Sequence, residues 1–131
     1  MDNQIRHVTR QEYEKIAAAA KGTSTFVGEL DGRDIHDLDD FLDAVWTVFR
    51  FPDGPKNPDA YLDWIRDLRW IGAEGYIFTM LDFKDFMDQD PHFRGIILET
   101  LESMVIPWWS EDVEKYEVEG KAQPFNVYLV D

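Results

Sequence analysis

GYIFTML, residues 75–81, is apolar at almost every position. A strand with one wet face alternates polar and apolar residues, whereas a strand covered on both faces reads as a continuous apolar run. The stretch therefore predicts a fully buried strand, which in a chain of this kind sits in a parallel sheet between layers of helix.

Upstream, TSTFVGEL is β-prone and ends at the turn signal Asp31-Gly32, so residues 24–30 read as a strand. Asp37 opens a helix that places Leu38, Phe41, Leu42, Val45 and Phe49 on one face, with Asp39, Asp40 and Asp43 turned away. FPDGPKNP is a loop, with three prolines and a glycine in eight residues. Asn57 is a good N-cap and Pro58 suits the first helical position. The helix that follows is expected to run to about Trp70, burying Tyr61, Leu62, Ile65 and Leu68, with Gly72 and Gly75 framing its end.

Downstream, residues 83–87 read as a short helix or turn. Asp90-Pro91 starts a longer helix carrying Phe93, Ile96, Ile97, Leu98, Leu101, Met104 and Val105, and Pro107 is expected to stop it. PWWSEDVEKYEVEGK is partly helical by pattern, and FNVYLV (residues 125–130) is a last strand. At the other end, Thr9-Arg10-Gln11-Glu12 has the form of a capping box for a short helix over about residues 10–20. The expected architecture is an α/β domain over residues 24–131, a three-stranded parallel sheet packed by helices. Residues 1–23 precede it as a partly helical extension, an extra N-terminal helix whose small apolar face suggests an appendage.

With 131 residues the chain suggests one domain, and 44% hydrophobic and 15% aromatic residues are enough for a real core. Its 27 Asp and Glu against 13 Lys and Arg give a net charge of −14. Such a field repels nucleic acid and anionic membranes and favours basic protein partners. No cysteine is present, which excludes thiolate catalysis and sulfur-ligated metals. The first residues lack the apolar stretch of a signal peptide and no run reaches the ~20 apolar residues of a membrane span. The expectation is a cytoplasmic protein that touches neither membrane nor nucleic acid directly.

Catalysis finds little to stand on. His7, His36 and His92 lie far apart, and none of the metalloprotease, phosphate-loop, dinucleotide or nucleophile-elbow motifs occurs. The acids at 88–90 lack the glutamate that would complete a calcium loop. The expectation is a protein that is not an enzyme, with no catalytic residue, cofactor or metal.

Asp59, Asp63 and Asp67 instead stand four apart on the polar side of the second helix. Like charges at that spacing cost each other roughly 0.2–0.5 kcal/mol. The plainest account is the solvated face of an acidic protein, with Asp59 also favouring the helix dipole. The Pro/Gly-rich loop just before it adds a second account. Loop and helix then form one rigid acidic ridge, able to enter a cationic cleft with little loss of entropy. Asp53, Gly54 and Asn57 belong to that ridge. Trp64 and Trp70, at the edge of the apolar stripe, each suit a partly exposed anchor.

Four stretches resemble the barstar-like ribonuclease inhibitors. FVGELDGRDIHDLDDFLDAV is similar to their first strand, glycine turn and first helix, and FPDGPKNPDAYLDWIRDL to their binding loop and Asn-Leu-Asp-Ala-Leu-Trp-Asp signature. GYIFTMLDFKDF and FNVYLV resemble their second and last strands. The resemblance implies a three-stranded parallel sheet with helices and an intracellular immunity protein. Such a protein plugs the active site of a basic guanyl-specific ribonuclease or related nuclease toxin. It further implies that Asp59 and Asp63 meet the cations that hold RNA phosphate, and that a later acidic contact falls at Glu99 or Glu102. Here Asp53-Gly54-Pro55-Lys56 replaces a loop that in the family carries tyrosine and glycine. Leu62 stands where the signature has Trp. An alternative remains open, an acidic interaction module on the same scaffold that binds a basic partner other than a nuclease.

Overall fold

A computed structural model describes residues 2–131. The strands are β1 (Ile5–Val8), β2 (Thr25–Asp31), β3 (Gly75–Leu81) and β4 (Phe125–Val130), all parallel, in the order β1-β4-β3-β2. Helices α1 (Arg10–Ala20), α2 (Leu38–Val48), α3 (Pro58–Ile65), α4 (Pro91–Thr100) and α5 (Val113–Tyr116) cover the sheet. Apolar GYIFTML is indeed interior, with six of its seven residues buried and Phe78 and Met80 wholly so.

Alternation along the strands divides the core. Tyr76, Phe78, Met80, Phe125, Val127 and Leu129 pack with α2, α3 and the helical rod that begins at α4. Ile77, Tyr128 and Val130 pack on the other face with Val8, Tyr13 and the half-buried Ile16 and Ala17 of α1.

The sheet has four strands, not three. The fourth is β1, within the 1–23 extension, and it pairs Ile5 with Val127 and Val8 with Val130. Four residues are too short for a period-2 signal, and what holds them lies at the far end of the chain. The Asn3 side chain donates to Gln123 O (2.9 Å) and accepts from Phe125 N (2.9 Å), while Val127 N donates to Gln4 O (3.0 Å). The capping box forms as expected, Thr9 Oγ1 accepting from Glu12 N. The helix it starts is no appendage, because it covers one face of the sheet.

Pro107 does not stop its helix. Helical backbone continues from Pro91 to Tyr116 through two π-helical stretches, Leu101–Val105 and Trp108–Asp112, on either side of the proline. An interior proline lacks an N–H and its ring crowds the carbonyl four residues back; the wider π turns on either side give that ring room. The rod keeps Ile97, Leu101, Val105 and Trp109 buried along one side.

Helix α3 ends at Ile65, short of Trp70. Leu68 then takes a left-handed φ of 55° so that its side chain enters the core, fully buried. Burying a leucine is worth roughly 1.5–3 kcal/mol, which offsets the ~1–2 kcal/mol cost of that backbone conformation.

Candidate functional site

The loop between α2 and α3 is tethered by indoles. Trp46 Nε1 donates to Pro52 O (3.2 Å) and Trp70 Nε1 to Phe49 O (2.9 Å). Trp46 packs edge-on against Phe51 at 5.0 Å, and Trp64 edge-on against Trp70 at 5.5 Å. Trp64 is thus half-buried, one side held by the cluster. Asp53 and Gly54 form the exposed loop tip, where Gly54 has a φ of 154° that favours glycine. At the base, Lys56 reaches Asp43 of α2 at 3.1 Å.

Asn57 caps α3, its Oδ1 accepting from Ala60 N at 2.8 Å, with Pro58 next as expected. The helix pins Tyr61 and Ile65 in the core and turns Asp59 and Asp63 outward. Asp59 is exposed and in no ion pair with a described residue. The Asp63 side chain is 76% exposed, and Arg66 Nη2 approaches it at 3.4 Å. That guanidinium is held in place from below: its Nε donates to Leu62 O (2.9 Å) and it lies 5.7 Å from the centre of the Trp108 ring.

Asp67 behaves differently. It lies past the helix end, its side chain is only 20% exposed, and its Oδ1 accepts from both Nε (2.7 Å) and the backbone N (3.2 Å) of Arg69. Of the three acids spaced by four, two project and one folds back. The 100° helical step that set them in line stops applying at Ile65.

A groove of about 790 Å³ opens beside the C-terminal end of α3. Asp63, Arg66, Asp67 and Arg69 form one wall, Trp108, Trp109 and Val113 the other, and Glu117 and Lys121 close it. Trp109 ties the walls together, its Nε1 donating to Ile65 O at 3.0 Å. Glu99 and Glu102 are exposed on the rod and do not line this groove. Glu117 does. Arg66 stands at the local i+3 spacing from Asp63, whereas Glu117 enters the site only through the tertiary fold.

Across residues 25–129 the chain matches the family model described as Barstar (barnase inhibitor). It belongs to the barstar family. No curated protein and no solved structure matches the chain. The barstar match begins at β2 and ends within β4, so it spans the loop, α3 and both walls of the groove. Barstar-family proteins are inhibitors of ribonuclease, which sets the coarse class of partner as protein. Among the described residues no helix is long and apolar enough to cross a membrane, and no cluster of His, Asp and Glu is placed to hold a metal ion.

Proposed function

We propose that this protein inhibits a basic ribonuclease by seating the 51–57 loop and the outer face of α3 in the enzyme's phosphate-binding cleft. The observation that carries the reading is the orientation of Asp59 and Asp63. Both are exposed on a helix whose opposite face is buried at Tyr61 and Ile65, so two carboxylates are held in place before any partner arrives. Asp63 is the central contact. In the unbound protein Arg66 offsets part of its charge at 3.4 Å, and the cleft's arginines and lysines supply closer partners. Asp53 and Gly54 enter ahead of the helix, Trp64 supplies an apolar shoulder, and Asp67 orders Arg69 at the rim. Glu117 lines the groove beside α3 and adds a further acid to this surface, whereas Glu99 and Glu102 are exposed on the rod outside it.

Removing one member of a desolvated interfacial charge pair costs about 2–5 kcal/mol, a magnitude drawn from complexes of this same family and adopted here. The charge of −14 would speed encounter with a basic enzyme, an effect that salt screens. A second reading, an acidic interaction module for a basic partner that is not a nuclease, draws on the same outward carboxylates of α3.

RNA cleavage by a purified basic guanyl-specific ribonuclease, titrated with this protein, separates the two. Competitive inhibition that weakens with salt is expected. Full cleavage at saturating protein, or inhibition unaffected by RNA concentration, would overturn active-site occlusion.

A further inference from the structure

The sheet ends on one side at β2, and that edge is open. In a parallel ladder the N–H and C=O of a residue point to the same side. Tyr76 N bonds Pro124 O on the β4 side (2.8 Å), so Ile77 and Thr79 turn towards β2. In the β2–β3 register, Phe26, Gly28 and Leu30 receive them, leaving the backbone groups of Thr25, Val27 and Glu29 facing outward. Consistent with this, Thr25 N bonds the Thr23 hydroxyl (3.2 Å) and not a strand. Among the described residues, no strand, cap or side chain reaches the N–H or C=O of Val27 or Glu29.

A shallow groove runs along this edge beneath α2, with Ala44 and Val48 as its apolar floor. Glu29, Asp31, Asp34, Asp40 and Asp43 line it, with no cationic residue among its walls. Arg33 and Lys56 pair with Asp31 and Asp43 from outside. Edges are commonly blocked by proline or by charged side chains, lysine above all; β2, TFVGELD, has no proline or lysine, and its two charges, Glu29 and Asp31, are both acidic.

We propose that the β2 edge is a second protein-binding surface, which takes an extended cationic segment of a partner protein as a fifth strand. The added chain would lie about 4.8 Å from β2, its main chain bonding Val27 and Glu29 and its lysines or arginines meeting the acids along α2. A second copy of this protein is a poor occupant, because pairing two β2 edges would bring two copies of the same acidic groove together. The groove meets the loop and α3 ridge only at the Lys56–Asp43 pair, and its open strand edge is separate from that ridge, so the inference stands independently of the inhibitor reading.

The probe is an acetylated, amidated hexapeptide alternating lysine and valine, titrated into the ¹⁵N-labelled protein. The amide signals of Thr25, Val27 and Glu29 should shift and their hydrogen exchange should slow. A peptide of the same sequence, N-methylated at alternate residues, should do neither. The doubly substituted Asp34→Asn/Asp43→Asn protein, its fold checked by circular dichroism, should bind about fivefold more weakly. Equal binding of the N-methylated peptide would reduce the surface to bulk charge attraction and overturn strand addition. Absence of shifts at β2, or shifts confined to α3, would overturn it as well.

Discussion

Trp109→Phe tests whether the long helical rod holds the acidic helix in place. Trp109 is buried, its Nε1 donates to Ile65 O at 3.0 Å, and its ring stacks parallel on Phe125 at 6.1 Å. Phenylalanine keeps the stacking but removes the donor, leaving the last carbonyl of α3 without its partner. An unsatisfied buried group costs about 1–3 kcal/mol, and the smaller ring leaves a void worth about 1 kcal/mol more. The expected loss is about 2–4 kcal/mol, a large share of a typical domain's stability of 5–15 kcal/mol. In urea, with a slope near 2 kcal/mol/M, the midpoint should fall by about 1–2 M. Exchange of the amides that follow Ile65 should quicken in step. A midpoint within about 0.2 M of wild type would show that the rod and α3 are not coupled through this bond.

Gly32 stands where β2 turns against the end of β3, and a Cβ there would lie 2.5 Å from both Leu81 O and Asp82 O. Gly32→Ala should therefore destabilise by about 1–3 kcal/mol in the same urea assay. Asn57→Ala removes the cap of α3 and should cost about 1 kcal/mol, while Asn57→Asp should cost little. His36 Nδ1 lies 2.9 Å from Asp88 Oδ1, and this hydrogen bond raises the imidazole above its ordinary 6.5. A raised histidine adds stability that is full below the unfolded value and is lost as pH rises through the folded one. The stability difference between wild type and Asp88→Asn should accordingly be largest near about pH 6 and shrink by about pH 8; a difference that grew with pH would contradict the pairing.

Most of the architecture is written in short-range pattern. Phe41, Val45 and Phe49 mark α2 by period, Asn57-Pro58 marks the start of α3, and GYIFTML and FNVYLV declare themselves as buried strands. What escaped detection depends on distant contacts. The strand at 5–8 exists because Asn3 and Gln4 bond residues more than a hundred positions away. Pro107 is a reliable stop only when the helix cannot widen, and here π turns absorb it. Asp59 and Asp63 could be placed from periodicity because they lie within regular helix. Asp67 could not, because the need to bury Leu68 bends the chain first. Glu99 and Glu102 are exposed on the rod outside the groove, and Glu117 reaches it only through the turn after α5.

In the proposed complex, recognition rests on the two outward carboxylates of α3, Asp59 and Asp63. Asp59→Asn/Asp63→Asn removes both charges with little change of shape, and calorimetric titration against the inhibited ribonuclease reads the consequence. Affinity should fall by about a thousandfold or more, with the urea midpoint falling by no more than about 0.5 M. If the doubly neutral protein bound as tightly as wild type, recognition would lie elsewhere on the molecule.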